Sequence, residues 1–281
     1  MRILFTGSRG FIAQELIRRF KNNNRIYEIN RQNFNLLDSS MVEEFFANYD
    51  IDVVIHCAIS GGRRGQPECP KMFYDNVKMF ENLASQRDKF DLMINFGSGA
   101  EMDRTRDIML RKEEDFLSEE QLPSDYYGFS KYIIAKRIQQ INDNICNFRI
   151  FNVFGELEKQ DRMIKNNLTR FRSNLPLQVH QNKIMDFFSV EDLYRVVRYY
   201  LDNFLSFSLD KDLNMCYTNK VDLKQVCKII CSDDEYKIDI CDEGMSPAYC
   251  GNGERLRSLE IDLLGLEKSI RKLQANNETD F

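Results

Sequence analysis

The sequence predicts an α/β fold: a doubly wound parallel sheet followed by a small C-terminal lobe. Three observations point to it. The chain opens MRILFTGSRGFIAQELIRRF, a short apolar run, a glycine turn and a helical pattern in direct succession. Through the first half, apolar strand-like runs alternate with segments of helical periodicity, the signature of βαβ units. The length, 281 residues, suits one such domain with a smaller lobe and is ample for a large core.

The opening segment carries the most chemistry. A strand at Ile3–Phe5 leads into Thr6-Gly7-Ser8-Arg9-Gly10-Phe11-Ile12-Ala13. Gly7 suits a tight bend, Gly10 a close approach of backbone to a pyrophosphate, and Ala13 close packing of helix on strand. The free N–H groups of the helix start then face the phosphates. This is a Rossmann-type dinucleotide site, with Gly7, Ser8, Arg9, Gly10, Phe11 and Ile12 as its first contacts.

Further strands are expected at Ile26–Ile29, Val53–His56, Leu92–Phe96 and Phe148–Phe151. Helices are expected at Phe11–Phe20, Ser40–Asn48, Met72–Ser85 and Tyr127–Ile141. A strand-like piece, Asp186–Ser189, runs into a helix from Val190 to about Asn203. From about Ser206 the pattern loosens. A helix at Leu223–Cys231, a strand at Tyr236–Ile240 and a charged helix at Leu263–Leu273 make up the lobe, and the chain after Ala275 reads as frayed. No internal repeat or low-complexity linker stands out.

Net charge is −5 with both signs mixed, which favours neither nucleic acid nor an anionic membrane as partner. No apolar run approaches transmembrane length, and the N-terminus lacks signal-peptide architecture, so a cytoplasmic protein is expected. The eight cysteines form no CxxC pair and there are only two histidines, His56 and His180. Buried free thiols are expected rather than a metal site. His56 sits inside an apolar run and reads as a core histidine rather than a ligand.

The second strand ends in Glu28-Ile29-Asn30-Arg31. A carboxylate there would bind both ribose hydroxyls of NAD; Asn30 is neutral instead. Arg31 and Arg9 would suit a ribose 2′-phosphate, which favours NADP(H), the alternative being that Arg31 is a solvated loop residue. Leu37 and Asp38 close Asn35-Leu36-Leu37-Asp38, where Asp38 either meets the adenine amino group or serves the start of the next helix. Cys57 and Ala58, followed by Gly61-Gly62, leave room for a cofactor across the strand ends.

Tyr127 and Lys131 are i and i+4 on a helix and share a face. A cation there would lower the tyrosine pKa from about 10 and let the phenol exchange a proton near neutral pH. Tyr74/Lys78 and Tyr132/Lys136 have the same spacing. Context selects Tyr127, because the strand upstream ends in Phe96-Gly97-Ser98-Gly99 and Ser98 offers a hydroxyl to the same substrate oxygen.

Together these residues resemble the extended short-chain dehydrogenase/reductase family of nucleotide-sugar epimerases, dehydratases and reductases. The resemblance runs over nearly the whole chain. It includes Thr6–Ala13, His56-Cys57-Ala58, Asn76, Ser98, Tyr127/Lys131, the segment Arg149 to Gly155 (RIFNVFG) and the segment Asp186 to Asp192 (DFFSVED). Within the family the chain is most similar to the GDP-fucose synthase branch, through Gly7-Ser8-Arg9-Gly10, Phe34–Ser39, Ile51-Asp52-Val53 and Ile59–Gly62. The resemblance implies NADPH, a nucleotide-sugar substrate, a homodimer, and catalysis by Ser98, Tyr127 and Lys131. It divides the chain into a dinucleotide-binding domain, 1–155 completed by about 184–204, and a nucleotide-sugar-binding lobe, 156–183 and 205–281. Cofactor contacts extend to Leu37, Asp38, Cys57, Ala58, Asn76 and Lys131. Substrate contacts fall on Gly99, Ala100, Asn152, Arg162, Arg170 and Lys183.

That branch epimerises with a cysteine and a histidine. Here Ala100 stands at the cysteine position and Arg162 aligns with the histidine, and neither can exchange a proton. The expectation is a 4-keto reductase without epimerase activity, acting on a nucleoside-diphosphate-4-keto-6-deoxy sugar, with GDP favoured by branch resemblance and dTDP, CDP and UDP open. The usual arginine before Asp186 is Met185, and Lys183 is a substitute cation. Three alternatives stand beside this: an NAD-dependent 4-epimerase, a 4,6-dehydratase with Glu101 and Asp103 nearby, and a non-enzymatic sensor or scaffold on the same fold.

Overall fold

Strand β1 (Arg2–Thr6) is apolar from Ile3 to Phe5 and wholly buried there, so it needs cover on both faces. The computed structural model describes residues 1–62, 67–141, 144–205, 209–233 and 235–276. Ser206 and the tail 277–281 lie outside the described residues. After β1 come α1 (Phe11–Phe20), β2 (Arg25–Ile29), α2 (Ser39–Asn48), β3 (Val53–His56), α3 (Pro70–Ala84) and β4 (Leu92–Ser98). Next are β5 (Ile108–Arg111), α4 (Glu113–Ser118), α5 (Tyr126–Gln140), β6 (Ile145–Ile150), β7 (Val153–Phe154), α6 (Met163–Arg172) and β8 (Leu177–Asn182). The rest is β9 (Phe188–Ser189), α7 (Val190–Asn203), β10 (Asp212–Met215), α8 (Leu223–Cys231), β11 (Ile238–Met245), β12 (Tyr249–Gly251), α9 (Glu254–Ser258) and α10 (Leu266–Asn276).

Six parallel strands form the main sheet in the order β10-β6-β4-β3-β1-β2. The order reverses at β1, between β3 and β2, which places the ligand crevice at the carboxyl ends of β1 and β3. Alternate residues serve opposite faces. Ile3, Phe5, Val53 and Ile55 pack with Leu16 of α1 and Val197 of α7. Leu4 and Val54 pack with Phe46 of α2, Leu83 of α3 and Ile138 of α5. The lobe has its own core, where Leu168 of α6, Val179 of β8, Ile230 of α8 and Ile270 of α10 meet.

The expected doubly wound sheet is present, and α1, β3, α7 and α8 have the expected bounds. Residues 212–215, which the sequence reading gave to the lobe, instead form β10, the sixth strand of the main sheet. Its sequence, Asp-Leu-Asn-Met, hides the strand because its polar residues are buried against charged partners rather than exposed. The strand predicted at Phe148–Phe151 begins earlier, at Ile145, and β4 extends to Ser98. The last helix runs through Asn276, beyond the point where fraying was expected. Among the described residues no helix is long and apolar enough to cross a membrane, and no cluster of His, Cys, Asp and Glu is arranged to hold a metal ion. All eight cysteines are free, but Cys69 and Cys241 are exposed, against the expectation of buried thiols.

Candidate active site

The turn after β1 is shaped by close approach. Gly7 has φ +61°, and a Cβ there would stand 2.7 Å from the Ala58 Cα, so the β1 and β3 ends meet with no room for a side chain. Thr6 Oγ1 holds this junction, bonding His56 Nδ1 at 2.8 Å and accepting the Ala58 amide at 3.1 Å. His56 is buried, and burial together with Lys131 pulls its pKa down to about 3; it is a neutral core residue. Burial pushes the Cys57 thiol up, so it stays protonated.

No side chain caps α1, so the amides of its first turn, Phe11 and Ile12 among them, remain available to an anion. Ser8 is buried and its amide bonds the Ile29 carbonyl at 3.1 Å. Asn30 Nδ2 reaches Ser8 Oγ at 3.3 Å. Arg9 is exposed and bonds Gln32, which carries it to the loop that also bears exposed Arg31. The two arginines therefore flank the end of β2, with no carboxylate at position 30. Asp38 caps α2, its Oδ1 accepting the amides of Ser40 at 3.0 Å and Met41 at 3.2 Å, and Leu37 lies beside it, partly buried. Asn76 is buried; its amide group bonds both backbone groups of Ser60 and, at 3.0 Å, Ser130 Oγ. It ties the loop after β3 to α5.

Three residues converge beyond the ends of β3 and β4. Ser98 is the last residue of β4; its Oγ accepts the Ala100 amide at 3.2 Å, and its own amide bonds Glu101 Oε1 at 2.9 Å. Tyr127 lies in the first turn of α5, which Asp125 caps through the Gly128 amide at 2.6 Å. The ring rests against Gly62 (φ +77°), where a Cβ would come within 2.7 Å of it. Lys131 lies one turn on, its Nζ 5.9 Å from the Tyr127 ring centre and donating to the Phe96 carbonyl at 2.6 Å. Burial lowers Lys131 to about 8, partly offset by Glu101, which leaves it mostly cationic at neutral pH.

The expected lowering of Tyr127 is not what this environment gives. Burial dominates and pushes the phenol up; the Ser98 hydrogen bond and the Arg104 guanidinium pull it partly back. Tyr127 is thus a protonated donor at neutral pH. Arg104, which sequence reasoning missed, lies 5.7 Å from the Tyr127 ring centre and pairs with Asp125 at 2.8 Å. The other two Tyr/Lys pairs stand apart from Ser98: Tyr74 is exposed, and the Tyr132 hydroxyl donates to the Glu119 carbonyl at 3.0 Å.

Tyr249 of β12 was also missed, since nothing in its sequence neighbourhood marks it. Its hydroxyl lies 3.4 Å from Ser98 Oγ, and its ring lies over Gly99 and 5.3 Å from that of Phe151. Lys183 Nζ lies 5.9 Å from the Tyr249 ring centre, so the substitute cation does reach this site. Ala100 is fully buried beneath Ser98. Asn152, next to Phe151, accepts a hydrogen bond from Arg162 at the start of α6. Arg170 is not brought to this group. It lies about 12 Å further along α6 by helix rise and donates to the Pro176 carbonyl at 2.6 Å.

The fold and site define a dinucleotide-binding α/β protein with a Ser–Tyr–Lys constellation at the cofactor crevice. The chain belongs to the NAD dependent epimerase/dehydratase family, whose sequence profile matches residues 3–216. Solved structures share the fold at low identity. The GDP-mannoheptose C4 reductase of Campylobacter jejuni, with NADP bound, is 15% identical, with 99% of this chain and 98% of that one covered and a TM-score of 0.81. The dTDP-4-dehydrorhamnose reductase of Clostridium acetobutylicum is 17% identical over 99% of both chains, with a TM-score of 0.78. A Bordetella bronchiseptica enzyme, WbmG, in complex with NAD and UDP, is 15% identical over 99% of this chain and 94% of that one, with a TM-score of 0.80. No curated protein sequence matches the chain.

Proposed function

We propose that this protein is an NADPH-dependent reductase of the 4-keto group of a nucleoside-diphosphate-4-keto-6-deoxy sugar, GDP-linked by preference, in deoxysugar or polysaccharide biosynthesis. The observation that carries the reading is the placement of Tyr127 in the first turn of α5, its ring against Gly62 in the loop after β3, with Lys131 Nζ 5.9 Å from the ring centre and bonded to the Phe96 carbonyl of β4, the strand that ends in Ser98. The neighbours named for NADP-bound and nucleotide-sugar C4 reductases support it.

The residues present fit a dinucleotide. The uncapped α1 start and the Gly7 cradle suit the pyrophosphate. Arg9 and Arg31 suit a 2′-phosphate. Leu37, Asp38, Cys57, Ala58 and Asn76 border the remaining length, and Lys131 holds the ribose next to the nicotinamide. The bound cofactor supplies a hydride. Ser98 donates a hydrogen bond to the ketone oxygen, and Tyr127 gives that oxygen its proton. The resulting phenolate is stabilised by Arg104 and Lys131 until solvent reprotonates it. Asn152, Arg162 and Lys183 border the sugar, while Gly99 and Ala100 are buried and serve by leaving room for the Tyr249 and Phe151 rings and for Ser98; Arg170, bonded to a backbone carbonyl, contributes to the nucleotide end only if that bond is exchanged.

Ala100 and Arg162 leave no acid–base pair for carbons 3 and 5, so reduction proceeds without epimerisation. The reading includes a homodimer through α3 and α5, supported by Tyr74 and Tyr126, which are exposed on these two helices at 60% and 41%, and a cytoplasmic location. An NAD-dependent 4-epimerase is the second reading, favoured by the NAD-bound Bordetella neighbour and opposed by the arginines around position 30.

The test is NADPH oxidation with GDP-4-keto-6-deoxymannose in deuterated water. Oxidation without deuterium at carbons 3 and 5 is expected. Deuterium there would overturn the absence of epimerisation. No oxidation, together with NAD retained through purification, would favour the 4-epimerase.

A further inference from the structure

Three hydroxyl groups meet at the candidate site, and a ketone oxygen needs only two. The oxygen has two lone pairs, which Ser98 and Tyr127 fill in the reaction proposed above. The third hydroxyl, on Tyr249, lies 3.4 Å from Ser98 Oγ. A hydroxyl so near Ser98 stands beside the ketone oxygen that Ser98 would hold, where the substituents of the neighbouring ring carbon are the next polar groups. In a 4-keto-6-deoxy sugar the ketone has one vicinal hydroxyl, on carbon 3; carbon 5 carries the ring oxygen and the methyl group.

Tyr249 is held firmly. Its amide donates to the Ile184 carbonyl at 2.9 Å, and its carbonyl accepts the Asp186 amide at 3.1 Å. Its ring lies on Gly99, where a Cβ would come within 2.9 Å of the Tyr249 Cζ. Position 99 must therefore stay without a side chain for the phenol to reach Ser98. The Phe151 ring packs edge-on against it, and the Lys183 ammonium lies 5.9 Å from its centre. A rigid phenol on two rotatable bonds loses little freedom when it binds, which suits a recognition contact.

We propose that Tyr249 is a specificity-determining residue that hydrogen-bonds the substrate hydroxyl on the carbon next to the ketone, so the site takes α-hydroxy ketone sugars and discriminates against 3-deoxy analogues. This rests on the reduction reading above. Burial raises the Tyr249 phenol, so it serves as a hydrogen-bond donor and not as a base. It does not replace the acid–base pair that Ala100 and Arg162 fail to provide. A site built around a substrate hydroxyl rejects the analogue that lacks it, because the Tyr249 hydroxyl is then left with only its 3.4 Å contact to Ser98 Oγ.

The experiment measures kcat and KM for NADPH oxidation by the wild-type chain and Tyr249→Phe. The substrates are GDP-4-keto-6-deoxymannose and its 3-deoxy counterpart. Phenylalanine keeps the ring over Gly99, and NADPH fluorescence titration of the variant checks that the cofactor site is intact. The wild type is expected to prefer the 3-hydroxy substrate in kcat/KM, and the variant to lose about 10-fold of that preference, mainly through KM. An unchanged preference, with both substrates slowed equally or neither affected, overturns the proposal, since Tyr249 would then act only through Ser98 or not at all. Failure of the wild type to oxidise NADPH with either sugar removes the GDP-linked 4-keto-6-deoxy sugar reading on which the proposal rests, an outcome distinct from unaltered selectivity.

Discussion

Arg149 and Glu101, both fully buried, are joined at 2.6 Å, and the same carboxylate accepts the Ser98 amide at 2.9 Å. Arg149 also holds Asp212 of β10 at 2.9 Å and Asn214 at 3.1 Å. Its guanidinium lies 4.1 Å from the Phe116 ring centre. One buried cation thus serves two buried carboxylates, and the backbone that presents Ser98 is tied to the outermost strand of the sheet. Burial and Asp212 push Glu101 up, while Arg149 and the Ser98 amide pull it back.

Replacing Arg149 removes the compensation for both acids. Arg149→Met is expected to destabilise the fold by about 3–5 kcal/mol, the range for breaking a buried ion pair on one side. Urea denaturation of the variant against the wild type measures this. Equal midpoints would show that the carboxylates simply take up protons without structural cost.

The pH dependence follows from Lys131. Its folded value is about 8 against an ordinary 10.5, so below pH 8 both folded and unfolded chains carry the charge and the burial cost is present in full. Between about 8 and 10.5 the unfolded chain binds more protons, and the Lys131 contribution to stability rises with pH. Activity runs the other way, because the cation that stabilises the Tyr127 phenolate is lost. The profile of kcat/KM is expected to fall above about pH 8. Glu101 raises Lys131, so Glu101→Gln, which keeps an acceptor for the Ser98 amide, is expected to move that limb to lower pH. A limb that stays put would remove Lys131 as its source.

Much of this was legible in the sequence, for definite reasons. Gly7, Gly10 and Ala13 are local requirements of one turn, and the Tyr127/Lys131 spacing is a local property of one helix. The strand that ends in Ser98 also holds Lys131, through the Phe96 carbonyl, whereas the Tyr132 hydroxyl bonds the Glu119 carbonyl elsewhere. What could not be read was long-range. Tyr249 reaches Ser98 from 151 residues away, through a β12 strand of only three residues. Strand β10 was hidden because its buried Asp212 and Asn214 are matched to Arg149, a pairing no periodicity reveals. The direction of the Tyr127 shift was misjudged because the spacing reports a nearby cation but not burial, which is the larger effect here.

Cofactor choice is expected to follow Arg9 and Arg31. A guanidinium–phosphate hydrogen bond contributes about 1.5–3 kcal/mol, so Arg9→Ala and Arg31→Ala should each weaken NADPH binding by about 10- to 100-fold. NADH, which lacks the 2′-phosphate, should bind both variants as it binds the wild type. Fluorescence titration with the two nucleotides provides the comparison. Equal losses for both would mean that the arginines shape the loop through Gln32 rather than contact the phosphate.

The proton donor is tested by removing one oxygen. Tyr127→Phe keeps the ring against Gly62 and the helix intact, yet it leaves the ketone without a proton source. A general acid contributes about 10²–10⁴-fold, so kcat for NADPH oxidation should fall by that amount while NADPH affinity holds. Tyr132→Phe is the matched control. It has the same spacing to a lysine, but its hydroxyl bonds the Glu119 carbonyl away from Ser98, so turnover should stay at the wild-type rate. If Tyr132→Phe lost activity and Tyr127→Phe kept it, the catalytic assignment would pass to the other pair. If both kept it, Ser98 or solvent would have to supply the proton.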